Sequence, residues 1–493
     1  MRQAMAENTG QAEKSRPVSI GVGIDFGTSN SAAALFDGNI ISLVQLEEGS
    51  PIMPSASYID RDFVTCTGQE AIDTYIAQNQ GRKVEMSVEV IGEARSSTGQ
   101  MDMSTQLPME ADTHLVYGQA FNDGSLPGRL FRGTKRLLGS VDTQRIMIFG
   151  RAFRLVALIT PILLRIRLAI ETACQQLPGF SGPVKRACIG HPVNFEGRDQ
   201  NHNTVALERL SEAYGHAGIT EQYFYPEPTA AALSYLHANP GEKSEIILTV
   251  DFGGGTLDLC ILKRNAAHFD VAAIHGVGLG GDHIDQAMFR HILFPLLGKG
   301  ERWRREVDGK EIETLFPFDA YEDLLINWTV SYILNQNEYT TPVLDKIRQG
   351  GESAVKFERL YELITQNYSY QVFQAIKDCK ADLSTNAVSL LDIPEIDVET
   401  EISRAQFEGM IADLLAKFET AVDETLARAG MRHEDIHLVL RTGGSSLIPA
   451  VRDILEARFP GKVVEHDPFT SVAAGLALAD YYSHGQSLLQ EQE

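Results

Sequence analysis

Ile24-Asp25-Phe26-Gly27-Thr28-Ser29-Asn30-Ser31 and Asp251-Phe252-Gly253-Gly254-Gly255-Thr256-Leu257-Asp258 are the two stretches that decide the fold. Each follows a run rich in β-branched residues, Val18 to Ile24 and Ile246 to Val250. Each leads into a second apolar run, Ala32 to Phe36 and Leu257 to Leu262. The expected local structure is strand, tight glycine turn, strand. Laid together, Asp25 pairs with Asp251, Phe26 with Phe252 and Gly27 with Gly253. Two such hairpins, about half a chain apart, imply two lobes of related build. Chance likeness of two Asp-x-Gly turns is the competing explanation, and the matching strands on both sides weigh against it.

Working outward, Ala187 to Gly190 reads as a strand ending at His191-Pro192, and Asn203 to Ala217 has helical periodicity through Val205, Leu207, Leu210 and Tyr214. Glu227-Pro228-Thr229 opens a helix over Ala230 to Leu236, with proline in the first turn where its missing N–H costs nothing. His437 to Leu440 reads as a strand, Gly443-Gly444-Ser445 as a turn and Ile448 to Phe459 as a helix. Strand, glycine turn and helix therefore recur in both halves, as in mixed α/β proteins that bind ligands at strand ends.

Two regions depart from this pattern. Asp60 to Pro127 is polar and loop-rich; His283 to Ala381 reads as largely helical and holds Trp303 and Trp328. The expected organisation is a disordered polar extension over 1–16, a first lobe over 17–240 and a second over 241–485, with a tail over 486–493. The first lobe has its core at about 17–60 and 128–240, around an inserted subdomain at about 60–127. The second has its core at about 241–282 and 400–485, around a helical insertion at about 283–400.

Bulk properties narrow the function. The 493 residues suit two elaborated lobes, and 43% apolar content allows large cores. Acidic residues outnumber basic ones 66 to 43, for a formal charge of −23. That field repels nucleic acid and anionic membranes, so a phosphate ligand needs local help from a cation or backbone amides. Five scattered cysteines (Cys66, Cys174, Cys188, Cys260 and Cys379) form no Cys-x-x-Cys pair, which fits a reducing compartment. Leu155 to Ala173 is apolar but carries Arg165 and Arg167 and is too short for a bilayer; from Pro161 onward its period fits a buried helix. A soluble, cytoplasmic protein is expected.

A glycine turn between strands presents successive backbone N–H groups, which form a concavity for phosphate oxygens. Any Cβ there would hold the phosphates off. Thr28, Ser29 and Asn30 can donate from one loop, and Gly254, Gly255 and Thr256 from the other. Asp25 and Asp251 at strand ends suit Mg²⁺, which takes oxygen ligands and keeps several waters, and Glu227 is a third acidic group at a helix start. Each motif alone has an ordinary explanation. Glycine runs make tight turns, Asp25 could be a turn residue, and Glu227 could serve only the helix dipole. Their joint occurrence, each at a strand or helix end, favours a nucleotide site.

The ordered set of Ile24–Ser31, Glu227-Pro228-Thr229-Ala230-Ala231-Ala232, Asp251–Asp258 and Gly443-Gly444-Ser445 resembles the heat shock protein 70 (DnaK-type) chaperone family in its nucleotide-binding domain. Lys135-Arg136-Leu137-Leu138-Gly139 and Leu279-Gly280-Gly281-Asp282 extend the likeness, which covers about Val18 to Tyr482. In length the chain looks closest to the YegD type of chaperone-like protein. The resemblance implies an actin-like ATPase fold: a duplicated ribonuclease H-like motif in two lobes, each a mixed β-sheet with flanking helices, with ATP in the cleft between them. It implies ATP/ADP and Mg²⁺ as cofactors. Asp25 and Asp251 would hold the metal through water, with Glu227 nearby. Lys135 would contact the γ-phosphate and position the attacking water. Thr256 would bind the γ-phosphate, and Asp258 would organise water or metal. Gly27, Thr28, Ser29, Asn30, Gly253, Gly254 and Gly255 would cradle phosphate, while Gly280, Gly281, Lys380, Ser384, Gly443, Gly444 and Ser445 would line the ribose and adenine side. Read without the family, Lys135 would be a solvated surface lysine in a basic pair.

The sequence also departs from that family. Ala381 and Leu447 stand where two arginines sandwich the adenine, so the cation–π clamp is missing. Asn194 in Pro192-Val193-Asn194-Phe195 replaces an aromatic tied to signalling between lobes. The peptide-binding β domain and helical lid have no counterpart in this sequence. The expected function is a slow ATPase working as a chaperone-like or regulatory switch, with a co-chaperone or client as partner. The alternatives are a non-hydrolysing nucleotide-binding module read by a partner protein and an actin- or MreB-like filament protein.

Overall fold

A computed structural model describes residues 20–482 apart from 83–85, 88–89, 97–111, 118–121, 124–125, 141–144, 178–179, 181, 196, 198–199, 240–243, 266–267, 308 and 468. The expected extension (1–16) and tail (486–493) lie outside the described residues, as does much of the 60–127 insertion.

The first sheet contains β1 (Gly21–Phe26), β2 (Asn30–Phe36), β3 (Ile41–Leu43), β4 (Ile52–Pro54), β5 (Arg186–His191) and β6 (Glu221–Pro226). Its order is β6-β5-β1-β2-β3, with β4 also on β2. β1 runs antiparallel to β2 and parallel to β5, which is parallel to β6. The second sheet contains β7 (Ser244–Phe252), β8 (Leu257–Asn265), β9 (His268–Val277), β10 (Leu438–Thr442) and β11 (Val463–Glu465), in the order β9-β8-β7-β10-β11. Here too the hairpin is antiparallel and the two added strands are parallel. The sheets therefore share one topology. Their turns also match: Phe26 pairs with Ser31 and Phe252 with Leu257, leaving residues 27–30 and 253–256 as equivalent loops.

The central strands are apolar because helices cover both faces. On one face of the first sheet, α1 (Leu155–Cys174) and α2 (His202–His216) bury Ile159, Ile162, Ile166 and Leu210 against Val22, Ile24 and Ile189. The other face carries α3 (Glu227–Ala238) and α8 (Ser471–Tyr481). The second sheet packs against α4 (Gly281–Met288), α5 (Ser369–Thr385), α6 (Ala412–Ala429) and α7 (Pro449–Arg458) in one large core. The chain thus returns to the first sheet at its end. A Cβ on Gly21 or Gly23 would overlap the Ala477 or Ala473 carbonyl, so glycine in β1 lets α8 lie directly on the strand. The buried Asp480 carboxylate closes this seam: it accepts from the Val22 amide at 3.0 Å and from Arg186 Nε at 2.8 Å.

Three local expectations needed correction. Helix α1 begins at Leu155, ahead of Pro161. Proline removes one helical hydrogen bond, and burial of Leu155, Val156, Leu158 and Ile159 offsets that loss. The polar stretch after Asp60 contains a helix, Gln69–Asn79, whose Ala71, Ile72 and Tyr75 pack toward Tyr58 and Trp328. The insertion from His283 is not wholly helical. Trp303 sits in a hairpin, Arg302–Val307 with Lys310–Leu315, in which Val307 pairs with Lys310 and Gly309 has a φ of 74°. That turn is the Asp-Gly hairpin signal, passed over because the flanking strands alternate charges rather than apolar residues.

Candidate functional site

The two equivalent loops face one another across a cleft of about 1230 Å³ between the sheets. Gly254 lets them close up, since its Cβ would lie 2.8 Å from Ser29 Oγ. Within the second loop the Gly253 amide is spent on the Thr256 carbonyl at 3.0 Å. The Gly253 and Gly254 carbonyls accept from Gly281 and Asp282 at the start of α4, at 3.0 and 2.7 Å. Carbonyls are thereby committed backward. The amides of Gly27, Thr28, Ser29, Gly254 and Gly255 donate to no described backbone acceptor, leaving two facing sets of donors for an anion.

Beneath these loops lie the carboxylates. Asp25 is the second-last residue of β1 and Asp251 of β7, because the matched hairpins put them at equivalent positions next to the strand ends. Burial, then the charge of Glu227, pushes the Asp25 carboxyl up to about 7; Asp251 contributes and Lys135 opposes. Burial, followed by repulsion from Asp258 and Glu227, pushes Asp251 up to about 7. Lys135 is buried, with Nζ 2.6 Å from Glu227 Oε1. Burial alone would lower its pKa, but Glu227 and Asp25 outweigh that and hold it above the ordinary lysine range. Thr256 Oγ1 donates to Asp258 Oδ2 at 2.9 Å. The arrangement is short of positive charge.

Among the described residues no three His, Cys, Asp or Glu groups converge closely enough to ligate a metal directly. Asp25, Asp251 and Glu227 instead flank a space. Of these, Asp25 and Asp251 carry raised pKa values, and carboxylates crowded in this way are eased by a cation placed between them.

The far end of the cleft is less polar. Lys380 Nζ lies 2.5 Å from Asp285 Oδ1 and 3.4 Å from the Gly281 carbonyl, while the Ser384 hydroxyl donates back to the Lys380 carbonyl at 3.3 Å. Ser445 Oγ donates to the Gly253 carbonyl at 3.0 Å, which ties the turn after β10 to the second loop. Gly443 has a φ of 80°, and a Cβ there would press on Asp251 Oδ1 and the Phe252 carbonyl, each 2.5 Å away. Gly280 lies behind the loop, against Gly254 and Gly255, while Gly27, Thr28, Ser29, Asn30, Gly281, Gly444 and the other named positions line the cleft. Ala381 and Leu447 line it too.

Sequence reasoning passed over two side chains here. Phe469, 46% exposed, stands beside Gly444 near Leu447, a solvent-facing aromatic on the cleft wall. Arg136 lies against Gly255, where a Cβ would collide with its guanidinium, and pairs with Asp282 at 3.4 Å. An aromatic just ahead of the Ser471–Tyr481 run was the available signal for the first, and adjacency to Lys135 for the second. Asn194 also lines the cleft, its Oδ1 meeting His202 Nε2 at 2.9 Å and Asn203 Nδ2 at 3.0 Å.

The insertions meet above the cleft. Tyr75 Oη donates to the Thr329 carbonyl at 2.8 Å, Asn335 Nδ2 to the Arg82 carbonyl at 2.8 Å, and Tyr75 packs edge-on to Trp328.

Comparison with known proteins places the chain in a family. A family model described as Hsp70 protein matches residues 164–301 and 361–486, together more than half of the chain. The chain is similar to Heat shock 70 kDa protein BIP3 of Oryza sativa subsp. japonica, 25% identical over 469 residues, covering 93% of this chain and 56% of that protein. It is similar to Chaperone protein DnaK of Methanothermobacter thermautotrophicus, 24% identical over 469 residues, covering 93% and 59%. Against Chaperone protein DnaK of Mycoplasmopsis synoviae it is 26% identical over 306 residues, covering 59% and 40%. The chain spans little more than half the length of the first two relatives.

Proposed function

The chain belongs to the Hsp70 family and has its actin-like ATPase fold, and on that premise we propose that the cleft binds Mg·ATP and hydrolyses it slowly, as a chaperone-like or regulatory switch. One observation carries the reading: two loops of equal length hold unspent amides face to face above a half-buried Asp25–Asp251 pair beside one buried lysine. That is a site for phosphates plus a divalent cation.

In this reading the amides of Thr28, Ser29, Gly254 and Gly255 hold phosphate oxygens, and Thr256 holds the terminal phosphate. Asp25 and Asp251, with Glu227 beside them, hold Mg²⁺ through water; when bound it supplies charge neutralisation across the phosphates. Lys135 orients the attacking water and stabilises charge on the terminal phosphate. To do so it exchanges part of its 2.6 Å pairing with Glu227 for the ligand. The side chains here act by positioning and neutralising, which suits slow turnover. Asp258 sets the Thr256 hydroxyl through their 2.9 Å bond. Lys380 and Ser384 lie on the ribose side, with Gly281, Gly444 and Ser445 beside them. Phe469 offers a face for the base where Ala381 and Leu447 offer no cation.

The lobes in this proposal are those expected from the sequence, 17–240 and 241–485, with α8 packed on the first sheet. A co-chaperone or client protein reads the lobe angle, and the YegD-type resemblance points to the same kind of switch. Free cysteines at all five positions fit a reducing, cytoplasmic setting. Among the described residues no helix is long and apolar enough to cross a membrane. The Lys135–Glu227 pairing favours one second reading, a module that binds ATP without useful turnover.

Calorimetry with Mg·ADP and Mg·ATP, followed by single-turnover hydrolysis for wild type, Lys135→Ala and Asp251→Asn, tests both. Nucleotide binding with turnover lost in Lys135→Ala supports the switch. Binding with no turnover in wild type leaves the module, and absence of binding overturns both.

A further inference from the structure

At about 1230 Å³ the cleft exceeds the usual size of a small-molecule pocket, roughly 300–1,000 Å³. Its lining extends past the glycine loops to Arg132, Trp328, Phe373 and Lys377. Arg132 ends the strand Gly128–Arg132, and Lys377 lies on α5. The Arg132 guanidinium carbon sits 5.4 Å from the centre of the Trp328 ring, and Lys377 Nζ sits 5.5 Å from that of Phe373. The two rings are themselves 6.2 Å apart. Two cations from two different segments are therefore held over adjoining parts of one aromatic wall.

Their electrostatic surroundings are unusual. Among the described residues neither makes a hydrogen bond or an ion pair. The neighbouring carboxylates are committed elsewhere: Asp282 to Arg136 at 3.4 Å and Asp285 to Lys380 at 2.5 Å. Burial lowers the pKa of Arg132. Burial, then the charge of Arg132, lowers that of Lys377, with Asp282 and Asp285 only partly offsetting this. Four cations against two carboxylates make a positive locus inside a chain of charge −23. Burying like charges together without partners costs stability unless a ligand supplies the missing anion.

We propose that Arg132 and Lys377, over the wall formed by Trp328 and Phe373, are a second anion-binding subsite that takes a phosphate group other than those held by the glycine loops. A guanidinium fork and an ammonium together suit a doubly charged oxyanion. Lys377 precedes Lys380 by three residues on α5, about 4.5 Å along the axis, so the subsite adjoins the region assigned above to the ribose. The phosphate arrives either free or as an additional group on the sugar of a bound nucleotide. Only the second source rests on the proposed nucleotide function.

Trp328 is the reporter, since the chain has two tryptophans and Trp303→Phe leaves it alone. In that background, inorganic phosphate is titrated into the nucleotide-free full chain, followed by adenosine 5′-monophosphate and adenosine 3′,5′-bisphosphate. Wild type is expected to respond to phosphate, with affinity falling about tenfold in Arg132→Gln and in Lys377→Gln, the scale of one charge-assisted hydrogen bond. Both variants should melt no lower than wild type, because each removes an unpaired cation. Bisphosphate binding about tenfold tighter than monophosphate, with the gap closed in Lys377→Gln, puts the group on the nucleotide; a phosphate response without that gap identifies a free anion. Phosphate affinity unchanged in both variants, no response to either probe, or a lower melting temperature in both variants overturns the subsite. If neither nucleotide binds while phosphate still does through Lys377, the nucleotide reading falls and the subsite stands.

Discussion

Removing the Asp251 charge should stabilise the nucleotide-free protein above neutral pH while weakening the metal binding proposed for the cleft. Asp251 titrates at about 7 in the folded chain against 3.8 as an ordinary aspartate, because it is buried beside Asp258 and Glu227. Between those values the folded state holds a proton that the unfolded state has released, so stability falls as pH rises through the window. Three pH units at 1.36 kcal/mol each set a ceiling of about 4 kcal/mol. Asp251 keeps part of its surface on cleft water, so about half of that, roughly 2 kcal/mol, is the expected penalty at pH 8. Asp251→Asn should therefore melt higher than wild type at pH 8, by about 4–8 °C for a lobe-sized cooperative unit, and the gap should shrink to about two-fifths of that at pH 5. The assay is scanning calorimetry of metal-free, nucleotide-free protein from pH 5 to 8.5, read as the difference between the two curves. Saturating Mg·ADP should then raise wild type far more than the variant. A variant that melts below wild type at pH 8, or a difference that does not change with pH, refutes the reasoning.

Gly443→Ala should cost about 2–4 kcal/mol, since φ 80° strains any other residue and its Cβ would press on Asp251 and the Phe252 carbonyl; chemical denaturation measures it, and nucleotide binding should be lost with it. Phe469→Ala should weaken nucleotide binding about tenfold in calorimetry and leave the melting temperature unchanged, because the half-exposed ring has a free face and little packing. Asp480→Ala should destabilise by about 2–4 kcal/mol in urea titrations, as it strands the buried Val22 amide and Arg186, whereas turnover per folded molecule stays the same.

The amino-acid sequence alone determined the duplicated frame. Alternation of apolar runs, glycine turns and helix starts is local information, and it located β1, β2, β7, β8, β5 and β10 and the helices that follow, because burial on both faces of a central strand leaves a continuous apolar signature. It also singled out Asp25, Asp251 and both loops, since close approach of phosphate demands glycine next to the strand end. It did not reveal the helix Gln69–Asn79 or the hairpin bearing Trp303, where the stabilising contacts come from residues distant in the chain and the local pattern is mixed. Tertiary structure decided the rest. It buried Lys135 against Glu227, 92 residues away, where sequence without a family reads a solvated surface lysine. It brought Ser29 against Gly254, set Phe469 on the cleft wall, and gathered Arg132, Trp328, Phe373 and Lys377 from separate segments into one positive arm. Periodicity records only which side of an element faces inward; charge, burial and pKa depend on what other elements bring within a few ångströms, and only the folded chain fixes that.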